Sequence, residues 1–321
     1  MSIILHFTDP HITASTPDHP SPRRWRSSSY ERDILTKLEW ISKRAVEFDD
    51  DDSDTLVWCT GDVFDRAVEP IKTTLRFADW LGELRHHAIP FFLTLGQHDV
   101  RGYNLSTADE CSAGVLWRIP EPPKLMRSQY ETTSIFGVEC ASVHAGADHL
   151  LSIRNPKEIA DCAVVGTHLN IHPNAYGCVA PKDIHWEDTT LCLCSHIHQG
   201  FPACQHSGTW FSAPGALCRL NADELERKPQ ISVIHMDGPE VLSVEYETVP
   251  HRPVEEVFDL EAMNQVQETQ RERTLFREAI GDVSMGEAAS VGDWRASLEA
   301  AREQAGNEVV VRLMEYCERV G

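Results

Sequence analysis

The sequence predicts an α/β fold with a parallel or mixed sheet. Short apolar runs rich in branched and aromatic residues are typical of strands covered on both faces. Such runs alternate with helical patterns in the N-terminal part of the chain, which is the βαβ order of this fold class. Polar residues follow several of these runs at the point where the chain would leave the sheet. The 321 residues are enough for one large core and a smaller appended unit.

Two amphipathic helices are predicted between the first strands. The first follows the capping-box spacing of residues 28–31, and one of its faces carries Ile34, Leu38, Ile41, Ala45 and Phe48. The second runs from Pro70 to His87, with an inward face of Ile71, Leu75, Ala78 and Leu81. A third helix is predicted from Ser106. Beyond residue 133 strands follow one another with fewer helices, and Asp237-Gly238 predicts a hairpin turn.

The composition changes near Pro250, which predicts two domains, residues 1–250 and residues 251–321. The second segment has eight Arg, no Lys and fifteen acidic residues, with helical patterns over about 260–280 and 293–320. This mainly helical region either docks onto the larger domain or forms a capping or partner-binding unit. The sequence leaves both interpretations open.

Five short polar motifs each follow a strand-like run. They are Asp9-Pro10-His11, Gly61-Asp62, Gly96-Gln97-His98-Asp99, Gly166-Thr167-His168 and Ser195-His196-Ile197-His198. Any one of them is a weak signal, but all five in this order are a poor fit to chance. Because sites in open α/β sheets lie beyond the carboxyl ends of strands, we expect these residues to converge at one sheet edge.

Carboxylate and imidazole ligands without thiolates favour Mn, Fe or Zn, and two such ions can clamp a phosphoryl group. Asp62 is the best bridging ligand because it lies centrally among the motifs. A hydroxide held between the ions would attack phosphorus, and His98 would assist the leaving group. Asp99, beside it in the sequence, is expected to set the tautomer of His98.

The motifs resemble the calcineurin-like metallophosphoesterase family over residues 9–198, where the pattern is D-x-H, G-D, G-N-H-D/E, G-H and G-H-x-H. The resemblance implies a sandwich of two mixed β-sheets flanked by helices, with a small C-terminal appendage. It implies two divalent ions, with Mn²⁺ preferred over Fe, Zn or Mg. The implied ligands are Asp9, His11, Asp62 and His198 for one ion, and Asp62, Gln97, His168 and His196 for the other.

Two departures from the family pattern matter for the site. Gln97 stands where the family has Asn, and Ser195 stands where the last motif opens with Gly. Gln keeps the carbonyl ligand but adds one methylene group, so it is either a tolerated variant or the cause of a weakened second metal site. Under the second interpretation, Gln97→Asn would raise the affinity for Mn²⁺.

A narrower resemblance connects the chain to SbcD-type DNA-repair nuclease subunits. Gly61-Asp62-Val63-Phe64-Asp65 is similar to their G-D-L-F-D form, and Ala213-Pro214-Gly215-Ala216 resembles their P-G-S segment. The resemblance implies a Mn²⁺-dependent exonuclease or endonuclease that partners an SbcC-type ATPase, and it also allows a homodimer. The alternatives are a stand-alone phosphodiesterase or phosphatase acting on a small molecule or a protein, and a non-enzymatic scaffold.

The formal charge of −21 argues against a nuclease that acts alone, because DNA-binding surfaces are usually basic. A local exception is the Pro- and Ser-rich stretch 12–29, where Arg23, Arg24 and Arg26 flank Trp25 and could contact DNA or form a solvated loop. No apolar run is long enough to span a membrane, no signal peptide is recognisable, and the ten Cys form no CxxC pair. These features predict a cytoplasmic protein with reduced thiols.

Overall fold

The computed structural model describes residues 1–14, 26–50, 53–120, 122, 124–125, 130–144, 161–220 and 224–285. The chain divides into two compact units between Val257 and Phe258, close to the composition change near Pro250. The described strands all belong to the first unit.

One six-stranded sheet is built on the N-terminal strand. Its members are β1 (Ser2–Phe7), β2 (Asp54–Cys59), β3 (Phe91–Leu93), β4 (Lys124–Leu125), β11 (Gln230–Asp237) and β12 (Glu240–Thr248). The order is β12-β11-β1-β2-β3-β4, and β1 to β4 are mutually parallel. β11 runs antiparallel to β1 and forms the predicted hairpin with β12. Its two-residue loop is Gly238-Pro239, because Asp237 already pairs with Glu240.

The second six-stranded sheet is also mixed. Its members are β5 (Tyr130–Ile135), β6 (Val138–Val143), β7 (Val164–Thr167), β8 (Leu191–Leu193), β9 (Phe201–His206) and β10 (Thr209–Ala213). The order is β5-β6-β7-β8-β10-β9, with parallel pairing from β6 to β10 and antiparallel strands at both edges. Two mixed sheets flanked by helices confirm the predicted fold class.

The helices of the first unit are α1 (Tyr30–Asp50), α2 (Ile71–His86), α3 (Ser112–Leu116) and α4 (Val254–Val257). Short 3₁₀ helices cover Gln97–Asp99, Leu105–Glu110 and Pro181–Asp183. The predicted third helix is thus the second of these 3₁₀ helices, followed directly by α3. Four of the five predicted inward residues of α1 are fully buried, and Phe48 is half-buried.

The predicted inward face of α2 is partly wrong. Ile71 and Leu75 are 59% and 46% exposed, whereas Phe77 and Trp80 are buried. These two rings stack at a centroid distance of 5.2 Å, and Trp80 also meets Phe7 of β1 edge-on. Large aromatic side chains bury more apolar area than Ile or Leu, so they fix the rotation of the helix about its axis.

A buried apolar layer contains residues from strands of both sheets. It includes Ile4, Leu56, Trp58, Phe92, Val164, Leu191, Leu193 and Ile234, all buried. Hydroxyl groups join the sheets within this layer: Thr94 pairs with Ser142, and Ser212 lies 2.7 Å from Ser232. The layer therefore fixes the carboxyl ends of β1, β2, β7 and β8 relative to one another.

The second unit contains α5 (Leu260–Met285), in agreement with the helix predicted over about 260–280. The helix predicted over 293–320 lies outside the described residues. Among the residues that the structure describes, no helix is both long and apolar enough to cross a membrane.

Candidate metal centre

The five polar motifs converge where strands of the two sheets end. Asp9 and His11 follow β1, Asp62 follows β2, and the 3₁₀ helix Gln97–Asp99 follows β3. His168 comes directly after β7, and His196 and His198 follow β8. The first two loops are tied together, since Asp9 N donates to the Gly61 carbonyl at 3.1 Å and His11 N donates to the Asp62 carbonyl at 3.0 Å. The residues therefore converge as the sequence predicted, but at strand ends of two sheets rather than at one sheet edge.

Four of these residues hold strained backbone conformations. The φ angles of Asp9, His11, Asp62 and His196 are 49°, 44°, 48° and 73°, in the left-handed region, which is uncommon for non-Gly residues although Asp and His adopt it more often than most. Each such residue costs about 1–3 kcal/mol and persists only where its surroundings impose it. This strain at the convergence point is typical of a functional site.

One group of candidate ligands comprises Asp9, His11 and His198, with one ligand atom from each lying within 4.8 Å of the others. Asp9 Oδ1 is 4.0 Å from His11 Nε2 and 3.9 Å from His198 Nε2. The other oxygen, Oδ2, accepts hydrogen bonds from the Thr8 hydroxyl and the His196 amide, which fixes the direction of Oδ1. These three residues are those the family resemblance implies for one ion.

The second group comprises Asp62, His168 and His196. Asp62 Oδ2 lies 3.3 Å from His168 Nε2 and also 3.7 Å from His11 Nε2, so this oxygen faces both groups. Asp62 Oδ1 accepts the amide hydrogen of His98 at 2.8 Å. The structure thus places Asp62 between the two groups, where a bridging ligand is expected.

Gln97 also belongs to this second group by position. Its Oε1 lies 2.9 Å from His168 Nε2, so the longer amide side chain reaches the place expected for the Asn carbonyl. All the residues predicted as metal ligands are therefore within one cluster.

Several ligand atoms in the cluster are buried and have no hydrogen-bond partner. They include Asp9 Oδ1, His11 Nε2 and Asp62 Oδ2. A buried polar atom without a partner costs about 1–3 kcal/mol, and more when it is charged. A divalent cation would satisfy all of them, and the donor set of carboxylate, imidazole and amide oxygen suits Mn, Fe or Zn. The residues present therefore fit a pair of divalent cations.

The electrostatics of the cluster also favour a positive charge. Burial opposes ionisation of Asp62, but the charges of His168 and His11 outweigh it and hold the pKa of this carboxyl well below its usual range. Burial also disfavours protonation of His168, but Asp62 outweighs it and raises the pKa of His168 to about 10. A cation bound between them would displace that proton, because metal ligation requires neutral imidazole. Burial is the main reason why the pKa of His196 is lowered to about 4, and the charge of His168 acts in the same direction.

His98 lies beside the ligand groups, with one side-chain atom within 4.8 Å of ligand atoms of His11 and Asp62. Its Nδ1 donates to the backbone carbonyl of Asp65 at 2.8 Å. The expectation that Asp99 sets this tautomer is wrong. The Asp99 carboxylate instead accepts the amide hydrogens of Gly96 and Phe64, at 2.9 Å and 3.1 Å, because these are the donors nearest to its buried position.

Burial and the nearby Asp62 carboxylate raise the pKa of Asp99 to about 7. The two amide hydrogens that it accepts come from the loops after β2 and β3. Asp99 therefore organises these loops rather than the ring of His98.

Of the three predicted substrate-binding arginines, the described residues include Arg26. Arg23 and Arg24 lie outside the described residues. Arg26 forms a two-pronged ion pair with Asp65, at 3.0 Å and 3.1 Å, and its side chain is only 2% exposed. This burial corrects the expectation that Arg26 contacts DNA, since its guanidinium is already engaged inside the protein.

Two residues supporting the cluster carried no predicted role in the sequence. Glu224 accepts from His198 Nδ1 at 3.0 Å, and this partner lowers the pKa of Glu224 to about 2 despite burial, which acts in the opposite direction. Asp65 Oδ1 lies 3.5 Å from His11 Nδ1. Asp65 is part of a recognised motif, but no signal in the sequence points to Glu224.

A family model described as Calcineurin-like phosphoesterase matches residues 3–200. The chain belongs to this family, and the family together with the candidate ligand groups defines a metal-dependent phosphoester hydrolase.

Several solved structures are similar to the chain at low identity. A dimetal phosphatase from Danio rerio is 11% identical over 78% of this chain and 99% of its own, with a TM-score of 0.45. A conserved uncharacterised protein from Streptococcus pneumoniae TIGR4, titled a predicted phosphoesterase, is 12% identical over 78% of this chain and 92% of its own, with a TM-score of 0.37. Vps29 from Chaetomium thermophilum is 12% identical over 78% of this chain and 100% of its own, with a TM-score of 0.35. No relative was found among curated proteins.

Proposed function

We propose that this protein hydrolyses phosphodiesters with two divalent cations that share Asp62. Asp9, His11 and His198 would complete one set of ligands, and Gln97, His168 and His196 the other. Two bound cations supply Lewis-acid activation of water and neutralise charge on the phosphoryl group. The observation that carries the proposal is the set of unpartnered buried atoms on Asp9, His11 and Asp62, which face one another across the cluster.

His98 is the proposed proton donor to the leaving oxygen. Because its Nδ1 donates to the Asp65 carbonyl, Nε2 is the nitrogen left to exchange a proton with substrate. The Asp65 carboxylate is in turn held by buried Arg26, so the orientation of His98 depends on a rigid neighbour.

DNA is the proposed substrate, with Mn²⁺ as the proposed metal and an SbcC-type ATPase as the proposed partner. The motif resemblance at residues 61–65 and 213–216 supports this choice. The second of these segments contacts the cluster directly, because Ala216 N donates to the His198 carbonyl at 3.0 Å. The formal charge of −21 supports a partner that supplies positive charge to the DNA complex.

The same acidity favours a second candidate, a stand-alone phosphodiesterase or phosphatase acting on a small molecule or a protein. Both candidates use one metal cluster, so only the substrate separates them. An assay must therefore measure a small diester and DNA in parallel.

The test compares end-labelled duplex DNA with bis-p-nitrophenyl phosphate in Mn²⁺, for the wild type, His98→Ala and His185→Ala. His185 is exposed and contacts Ser207 in the β9–β10 turn, so it serves as a matched control. Cleavage of both substrates by the wild type and His185→Ala, with loss of DNA cleavage in His98→Ala, is the expected result. If the protein hydrolyses only the small diester, and still does not cleave DNA after an SbcC-type ATPase is added, DNA is refuted as the substrate and the second candidate is supported. No hydrolysis of either substrate in Mn²⁺, Fe²⁺ or Zn²⁺ would refute phosphodiester hydrolysis.

A further inference from the structure

Gln97 and Ser195 contact opposite nitrogens of the same imidazole. Gln97 Oε1 lies 2.9 Å from His168 Nε2, and Ser195 Oγ lies 2.9 Å from His168 Nδ1. Both positions depart from the metallophosphoesterase pattern, which has Asn and Gly there. Two departures that meet on one side chain suggest a common cause in the packing around His168.

The Nδ1 side of the ring is closely confined. Nδ1 donates to the Thr60 carbonyl at 2.9 Å and shares its hydrogen with Ser195 Oγ. The Ser195 hydroxyl, 3% exposed as a residue, donates to the carbonyls of Thr60 and Thr167, which lie at the ends of β2 and β7. A Cβ at Gly61 would lie 2.1 Å from Nδ1, so the ring packs directly on the backbone. The hydroxyl of Ser195 therefore ties the ring to the ends of neighbouring strands.

The Nε2 side of the ring faces two other acceptors. Because Nδ1 donates to the Thr60 carbonyl, Nε2 is the ring nitrogen left for a cation, which would take the place of its proton. The deprotonated Nε2 would then meet Gln97 Oε1 at 2.9 Å and Asp62 Oδ2 at 3.3 Å. Three acceptors at these distances repel one another unless a positive charge lies between them, and the position of each then depends on the other two.

We propose that Ser195 is a positioning residue of the second metal-ligand group, and that it acts together with Gln97 as one unit. Its hydroxyl holds the His168 ring in a position from which Nε2 and the Gln97 amide oxygen can bind the same cation. The inference rests on the proposed two-cation function. It favours the interpretation of Gln97 as a tolerated variant, and it requires that the effects of the two residues on metal affinity be coupled.

The first experiment is a calorimetric titration of the full chain with Mn²⁺. Ser195→Ala should weaken one of two binding steps by about tenfold or more, as is usual when the outer partner of a ligand histidine is lost. Ser212→Ala is the matched control, because Ser212 is a fully buried serine on the adjacent strand β10 whose hydroxyl pairs with Ser232. It should bind Mn²⁺ as the wild type does.

This titration distinguishes failure of the inference about Ser195 from failure of the proposed function. Equal Mn²⁺ affinities for Ser195→Ala and Ser212→Ala would refute the inference alone. A wild-type protein that binds none of Mn²⁺, Fe²⁺ and Zn²⁺ would refute the proposed function together with the inference.

The second experiment is a double-mutant cycle that combines Gln97→Asn with Ser195→Gly. The loss of affinity in the double variant should differ from the product of the single losses by about threefold or more, because the residues share His168. A double variant that equals the product would overturn the pairing.

A measurement on the wild type covers the case in which Ser195 variants do not fold. Nitrogen NMR of the Zn²⁺-loaded, ¹⁵N-histidine-labelled protein should show His168 protonated at Nδ1, with its resonance assigned from a His168→Asn sample. Protonation at Nε2 would overturn the proposed role of Ser195.

Discussion

Gly96→Ala tests whether the position of Asp62 controls the candidate metal centre. A Cβ at residue 96 would lie 2.1 Å from Asp62 Oδ1 and 2.4 Å from Asp62 N, whereas ordinary contacts begin at 3.4 Å. The carboxylate or the loop must therefore move by about 1.3 Å. Metal–ligand distances tolerate only about 0.2 Å. A misplacement of about 1 Å in a catalytic site can lower the rate by about 100-fold.

We therefore expect Gly96→Ala to lower kcat for bis-p-nitrophenyl phosphate by about 100-fold and to weaken binding of Mn²⁺. The matched control is Gly82→Ala in α2, where the nearest atom to the new Cβ is Arg85 Nη2 at 3.4 Å. This control should keep full activity and gain up to about 1 kcal/mol of stability from helix propensity. A folded Gly96→Ala protein with wild-type Mn²⁺ affinity and kcat would refute the reasoning.

Two further predictions concern buried charges. Burial raises the pKa of Glu69, which accepts from the Thr13 hydroxyl at 2.9 Å, from 4.5 to about 7. The stability that its protonated form contributes is full below pH 4.5 and is lost as pH rises through about 7. The wild type should therefore lose Tm relative to Glu69→Gln between about pH 5 and pH 8, and a constant Tm difference would contradict this assignment. Lys37 is fully buried and lies 2.7 Å from Asp33. Lys37→Met should lower the free energy of unfolding by about 3–5 kcal/mol in urea titrations, because the buried Asp33 carboxylate then keeps, among the described residues, only Arg219, 4.0 Å away, as a cationic partner. The exposed control Lys43→Met should change it by less than about 0.5 kcal/mol, and similar losses for both would contradict the prediction.

The fold class and the candidate ligands were largely predictable because their signals are local. Each ligand motif directly follows a strand, and strand direction alone brings the carboxyl ends of parallel strands to one edge. Asp9, Asp62 and Gln97, which follow β1, β2 and β3 of one sheet, could therefore be assigned to one edge without knowledge of the packing. The capped, amphipathic pattern of α1 likewise predicted its buried face.

The sequence predictions were wrong where the three-dimensional packing decides which partner a side chain contacts. The rotation of α2 follows the stacking of Phe77 and Trp80, which outweighs the predicted face that included Ile71. Asp99 is adjacent to His98 in sequence, yet its carboxylate points to backbone amides of two loops. Arg26 is in a basic stretch, yet its charge is neutralised by Asp65 in the interior.

The sequence by itself determined the βαβ succession of the first strands and helices, the identity of the polar cluster and the class of chemistry. These follow from hydrophobic periodicity and from short motifs whose residues are neighbours in the chain. The tertiary structure alone decided which atoms in the cluster remain unpartnered and how His168 is held between Gln97 and Ser195. It also decided that Glu224 supports His198. Such contacts join residues far apart in the chain, and their geometry is set by the packing of the two sheets rather than by any local pattern.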